Sequence, residues 1–172
     1  SSDLMDRAAK EMFLWLKKKF PDKETFFHVF CGHGNNGGDG LVVARLLHED
    51  GYTVFIDIIE ATGTPTPDFS LNLQKIKESG LEYNSEKQYK GTGKTIFIDA
   101  IFGTGLTREL NDEVKEVITK INTGNACVVS IDVPSGMFMH MKTDVAVQSD
   151  IVLTLHFPKL PFYLSDNHKF TK

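Results

Sequence analysis

At 172 residues, with 41% hydrophobic and 24% charged side chains, the chain has the size and composition of one globular domain, which excludes a disordered or low-complexity protein. Nineteen basic against 23 acidic residues leave a net charge of −4. That argues against a nucleic-acid partner, because phosphate backbones call for a clustered positive surface. No run approaches the ~20 apolar residues of a membrane helix and no signal peptide is visible, so no membrane role is expected and the expected compartment is the cytoplasm.

Residues Asp3 to Phe20 predict an amphipathic helix, with Leu4, Ala8, Met12, Trp15 and Leu16 on one face and Pro21 as its stop. Lys17, Lys18 and Lys19 fall at its end, where they complement the helix dipole. A strand, Phe26 to Cys31, runs into the turn GHGNNGGDG from Gly32 to Gly40, followed by a helix from Leu41 to Glu49. Tyr52 to Ile59 reads as a second strand, Ala61 to Asp68 as a loop of turn residues, and Ser70 to Ser79 as a helix closed by Gly80. A polar connection through Gly93 leads to the strand Thr95 to Phe102, the turn GTGLTREL and a helix from Asp112 to Ile121. Ala126 to Val133 is a strand entering PSG at Pro134 to Gly136, and Asp150 to Phe157 is the last strand, ended by Pro158. Cys31 and Cys127 each lie in an apolar strand and read as small buried thiols rather than a disulfide.

Apolar strands alternating with helices predict an α/β fold, a three-layer Rossmann-like domain with a mainly parallel sheet. GHGNNGGDG, GTGLTREL and PSG each follow a strand, so a parallel sheet brings all three to its carboxyl edge, where open α/β sheets bind ligands. Five glycines in the nine residues 32–40 cost backbone entropy, and are expected to permit positive φ and close backbone approach to a ligand. The following helix favours phosphate, with Asp39 as its N-cap in the purely structural alternative. The literal G-x-G-x-x-G at Gly32, Gly34 and Gly37, with Asp57 further on, is weak evidence for a third class, an NAD-dependent oxidoreductase. Asp57 falls inside VFIDII rather than at a strand tip, and no substrate domain follows. Asp99 and Asp132 each interrupt an apolar strand just ahead of a turn, where a carboxylate is costly unless bonded or paired. Beside the Asn35 and Asn36 amides they point to coordination of a hard cation or to acid–base work. Arg108 is a candidate phosphate partner, Lys159 a surface lysine, and His33 and His156 show no metal-ligand spacing.

The segments LMDRAA, CGHGNNGGDGLVVARLL, DAIFGTGLTR and SIDVPSG, with HFPKLPF at the close, together resemble the YjeF N-terminal domain family, the NAD(P)H-hydrate epimerases. The resemblance covers residues 1–172 as one domain, for which truncation at both ends is an expectation, and the stretch after PSGM is shorter and less glycine-rich than in the family. It implies an isomerase of metabolite repair that interconverts the R and S epimers of hydrated NADH or NADPH. The alternative is a non-catalytic nucleotide- or RNA-binding dimerisation module on the same scaffold. The resemblance further implies that Asn35, Asn36, Gly37, Gly38, Asp39, Gly103, Thr104, Gly105, Leu106, Thr107, Arg108, Glu109 and Asp132 contact the hydrated dinucleotide. Asn36, Asp99 and Ser135 would hold a potassium ion, a set whose single formal charge suits a monovalent cation. Asp132 is then the expected proton-transfer residue, since a metal-held Asp99 is a weak base. A homodimer is implied, as is an ADP- or ATP-dependent dehydratase, fused or separate, that completes the repair.

Overall fold

The computed structural model describes residues 2–84, 93–107, 109–138 and 144–154, and the side chains of residues 7–60 and 62–84 within the first span. Its elements, in chain order, are helix α1 (Ser2–Lys19), strand β1 (Phe26–Cys31), helix α2 (Asn35–Glu49), strand β2 (Thr53–Ile58), a 3₁₀ turn (Glu60–Thr62), helix α3 (Pro67–Ser79), strand β3 (Thr95–Ala100), helix α4 (Asp112–Thr123), strand β4 (Cys127–Ile131) and strand β5 (Ile151–Leu153). The five strands pair in the order β2-β1-β3-β4-β5, every neighbour parallel. Chain progress turns back between β1 and β3, so the crevice beyond their carboxyl ends is the topological switch point of the sheet.

Strand alternation divides the core into two layers. Phe27, Val29 and Cys31 of β1, with Ile96, Ile98 and Ala100 of β3, are buried in one cluster with α1, α2 and α3. Phe30 of β1 and Val128 of β4 belong to the opposite face, buried against Val114, Ile118 and Ile121 of α4. Helices on both faces explain why the strands read as continuous apolar runs. Cys31 and Cys127 are both free thiols, and burial pushes the Cys31 thiol far above its ordinary range. No helix among the described residues is long and apolar enough to cross a membrane.

Helix ends follow local chemistry. Thr66 caps α3, its Oγ1 accepting from the Phe69 N–H at 3.2 Å, and Pro67 occupies the first turn. Gly80 closes α3 at φ 75°. Asn111 caps α4 by accepting from the Val114 N–H at 2.9 Å. Two helix starts depart from expectation: α3 begins at Pro67, inside the expected loop, not at Ser70, and α2 begins at Asn35, not Leu41, with Gly34 as N-cap. NNGGDG is therefore the opening of a helix, and Asp39 lies beyond its first turn rather than at its cap. Tertiary contact overrides the low helix propensity of these residues. A Cβ on Gly37 would sit 1.7 Å from the Gly32 carbonyl oxygen, and one on Gly40 would sit 2.5 Å from the Ala100 Cβ. Removing side chains lets α2 lie directly on the β1–β3 pair. None of the five glycines in residues 32–40 has a positive φ, and close approach accounts for Gly32, Gly37 and Gly40 but not for Gly34 or Gly38. The polar connection before β3 contributes one bridge, Tyr83 pairing in parallel with Ile56, and the end of the predicted last strand lies outside the described residues.

Candidate active site

Three connections converge at the carboxyl edge. Gly32 is packed so that a Cβ would meet the Ile101 carbonyl oxygen at 2.1 Å, and its N–H donates to the Ala100 carbonyl at 3.2 Å. This joins the end of β1 to the end of β3. The first turn of α2 starts immediately beyond, with no acidic residue in it and no side-chain cap on Gly34. The positive end of the helix dipole, which favours anions, is therefore not offset by an acidic side chain in this turn. A cleft of about 730 Å³ opens there, lined by Gly34, Asn35, Asn36 and Asp39 from α2 and its cap, by residues 101–107, and by Asp132.

Asp132 follows β4 and is held at φ 68°, a left-handed conformation uncommon outside glycine. The Val133 N–H donates to the Ile131 carbonyl at 2.9 Å, which makes Asp132 the apex of a γ-turn of the rare, strained hand. Its own N–H donates to the Leu153 carbonyl at 2.9 Å, tying the turn to β5. One carboxylate oxygen, Oδ2, accepts from the Thr104 N–H at 3.1 Å. Gly103 is the reason the loop comes so near: a Cβ there would be 3.0 Å from Asp132 Oδ2 and 3.4 Å from the Asn36 Cγ. Asn36 in turn donates through Nδ2 to the Ile131 carbonyl at 3.2 Å. A carboxylate, an amide and a bare glycine loop therefore meet at one point of the cleft.

Asp99 occupies the layer beneath and is wholly buried. Register pairs it with Ser130 on β4, whose Oγ donates to Asp99 Oδ2 at 2.6 Å. Ser135 donates to Oδ2 from its N–H at 2.8 Å and to Oδ1 from its hydroxyl at 2.5 Å, and the Ile101 N–H reaches Oδ1 at 3.3 Å. Burial pushes the Asp99 carboxyl above its ordinary range, against the downward pull of the hydrogen bonds from Ser130 and Ser135. Ser135 Oγ also accepts from the Phe102 N–H at 2.8 Å. Gly136 makes the turn after Ser135 at φ 95°, where a Cβ would be 2.4 Å from the Val145 carbonyl oxygen.

Of the residues singled out in the sequence, Asn35, Asn36, Asp39, Gly103, Thr104, Gly105, Leu106, Thr107 and Asp132 line this one cleft. Gly37 and Gly38 are buried behind it in the body of α2, and Glu109 is exposed away from the lining. Asp99 and Ser135 lie below the floor, joined to each other. Arg108, His156, Pro158, Lys159 and HFPKLPF lie outside the described residues. Asp57 is engaged on the α4 face, 3.0 Å from His28 Nε2 and 3.5 Å from Lys120 Nζ. Burial works to raise its carboxyl, but these two neighbours hold it below the ordinary range.

Thr62, Thr64 and Thr66 also line the cleft and were not anticipated. The signal was available: their loop follows β2, so the carboxyl-edge rule that selected the other three turns applies equally to it.

A family model described as YjeF-related protein N-terminus matches residues 1–161. The bifunctional NAD(P)H-hydrate repair enzyme Nnr of Dictyoglomus turgidum is 34% identical over 170 residues, covering 93% of this chain and 32% of the relative. The chain thus spans about a third of the length of that bifunctional relative. An NAD(P)H-hydrate epimerase of Levilactobacillus brevis is 35% identical over 159 residues, covering 91% of this chain and 73% of its own. The crystal structure of yeast ynu0 (YNL200c) aligns with a TM-score of 0.79 at 22% identity, covering 98% of this chain and 76% of that one, and shows the same fold.

Proposed function

The chain belongs to the YjeF-related protein N-terminus family, and from that premise we propose that it epimerises hydrated NADH or NADPH. The observation that carries this reading is the meeting of Asp132, Asn36 and the Gly103–Thr104 backbone at one end of a cleft that begins at a helix N-terminus. A helix N-terminus suits the phosphates of a dinucleotide. The hydrated ring carbon bears a hydroxyl and the ring nitrogen, so hydroxide leaves as the nitrogen lone pair pushes. Inversion then needs a proton handed to the departing oxygen and water returned from the opposite face. Asp132 is the carboxyl group in the cleft wall whose orientation is fixed, by Thr104, for such an exchange.

A monovalent cation fits the residues below the floor. Asp99 is a wholly buried carboxylate whose hydrogen-bond donors, among the described residues, are all neutral hydroxyl and backbone N–H groups. Asn36, Asp99 and Ser135 would hold potassium, which when bound supplies a fixed positive charge beneath the reacting centre. Asp99 and Ser135 would keep the floor rigid, and Asn36 would orient the ligand side. A dehydratase that consumes one epimer completes the proposal, supported by relatives named as bifunctional repair enzymes, and a homodimer is proposed with it on the family resemblance alone. The free cysteines suit a reducing cytoplasm.

The test is to incubate the protein with one pure epimer and resolve the two by chromatography. Equilibration well above the spontaneous rate, with no change at the nicotinamide absorbance band, is the expected result. Tight dinucleotide binding with only spontaneous equilibration would favour the binding-module reading instead.

A further inference from the structure

One wall of the cleft, formed by Thr62, Thr64 and Thr66, belongs to no strand and to no helix longer than the 3₁₀ turn Glu60–Thr62. Among the described residues, His33, just beyond β1, bonds to this wall at three points. The His33 N–H donates to Thr62 Oγ1 at 2.8 Å, and the His33 carbonyl accepts from the Thr66 N–H at 2.9 Å. On the ring, Nδ1 lies 2.6 Å from the Gly63 carbonyl oxygen, so Nδ1 carries the proton and donates it, since the carbonyl can only accept. Nε2 lies 3.4 Å from Glu60 Oε2, and the ring packs edge-on to Phe69 with centroids 5.1 Å apart. Residues 60, 62, 63 and 66 are thus all referred to one side chain and its backbone.

His33 is itself immobilised from the other side, because Gly32 is pressed against Ile101 at the start of the opposite wall. The residue therefore spans the two walls and fixes the distance between them. Its ring does not line the cleft; it faces a separate cavity of about 590 Å³ with Phe69, Leu73, Lys77 and Tyr83. An effect of the ring on the substrate must accordingly pass through the loop.

We propose that His33 is a positioning residue that holds residues 60–66 as the substrate-binding wall, acting on binding and not on the chemical step. This rests on the reading of the cleft as the hydrate site. The test uses His33→Phe, which keeps a ring against Phe69 but loses both nitrogens, and His33→Asn, whose amide nitrogen reaches the place of Nδ1. His33→Phe should raise KM for the hydrate about tenfold with kcat within about twofold of wild type, the worth of one hydrogen bond that holds the loop. His33→Asn should restore most of the KM. Amide exchange of a peptide covering residues 59–66 should quicken in His33→Phe, return toward wild type in His33→Asn, and leave the strands protected. Unchanged KM and exchange in His33→Phe would overturn the proposal, as would a fall confined to kcat, or an Asn variant that behaves like Phe. A wild-type protein without epimerase activity would refute the functional reading instead. The exchange comparison would then decide the positioning role by itself, with quickening in Phe and recovery in Asn upholding it and no difference overturning it.

Discussion

Asp132 combines a strained backbone with a placed carboxylate, and the two belong together. A left-handed non-glycine residue at the apex of a γ-turn costs on the order of 1–3 kcal/mol, which the surrounding structure must cover. What the strain achieves is to turn the side chain from the strand direction toward the Thr104 N–H and the cleft. Asn tolerates the same conformation nearly as well as Asp. Asp132→Asn is therefore expected to leave stability within about 1 kcal/mol, while lowering the epimerisation rate by roughly 10²–10⁴ with KM little changed. Initial rates corrected for the spontaneous reaction check this, and a variant within a few-fold of wild type would confine Asp132 to positioning the ligand.

Helix α2 works as an element because its first turns lack side chains at chosen positions. Gly37 and Gly38 are adjacent and both buried, yet the structure gives them different duties. A methyl group on Gly37 collides with backbone, the Gly32 carbonyl oxygen at 1.7 Å, and relief would require α2 to part from the end of β1. A methyl group on Gly38 finds only Phe69 and Asp68 backbone atoms at 3.5–3.7 Å, ordinary contact. Gly37→Ala should cost about 3 kcal/mol or more, as overpacking against backbone does. Gly38→Ala should be neutral or stabilising by up to about 1 kcal/mol, the propensity gain of alanine in a helix. Urea denaturation of the two variants measures the contrast, and equal losses would refute the assignment of close approach to Gly37.

For the whole molecule, the governing feature is a charged group placed between its two apolar layers. Asp99 has its folded carboxyl raised by burial above the ordinary value of 3.8. The folded state therefore binds this proton more readily than the unfolded chain does. Its contribution to stability is present at low pH and is lost as pH rises from 3.8 through the raised folded value. Potassium should reverse that loss, because an ion bound to the folded state stabilises it by mass action. The expectation is a midpoint of urea unfolding that rises with potassium near neutral pH, at constant ionic strength, and does not rise when a bulky organic cation replaces it. Asp99→Asn should abolish both the potassium response and this component of the pH dependence. A midpoint indifferent to potassium in the wild type would remove the cation from the proposal.

Local signals in the chain determined its elements and their common edge. The apolar runs around Phe26, Thr95 and Cys127, the helix stop at Gly80, and glycine-rich turns placed after strands are readable because period, propensity and turn chemistry act over a few residues. Those signals alone bring Asn36, Gly103 and Asp132 to one edge of a parallel sheet. Three things were decided only by tertiary structure. NNGGDG reads as a loop by propensity and became a helix packed so closely that Gly37 meets Gly32 and Gly40 meets Ala100 with no room for a side chain. The left-handed backbone of Asp132 depends on bonds to Leu153 and Thr104, which are distant in sequence. His33 and the threonine wall reveal their connection only when the loop after β2 folds back over β1, because no local pattern in a chain records which backbone groups a remote side chain will meet.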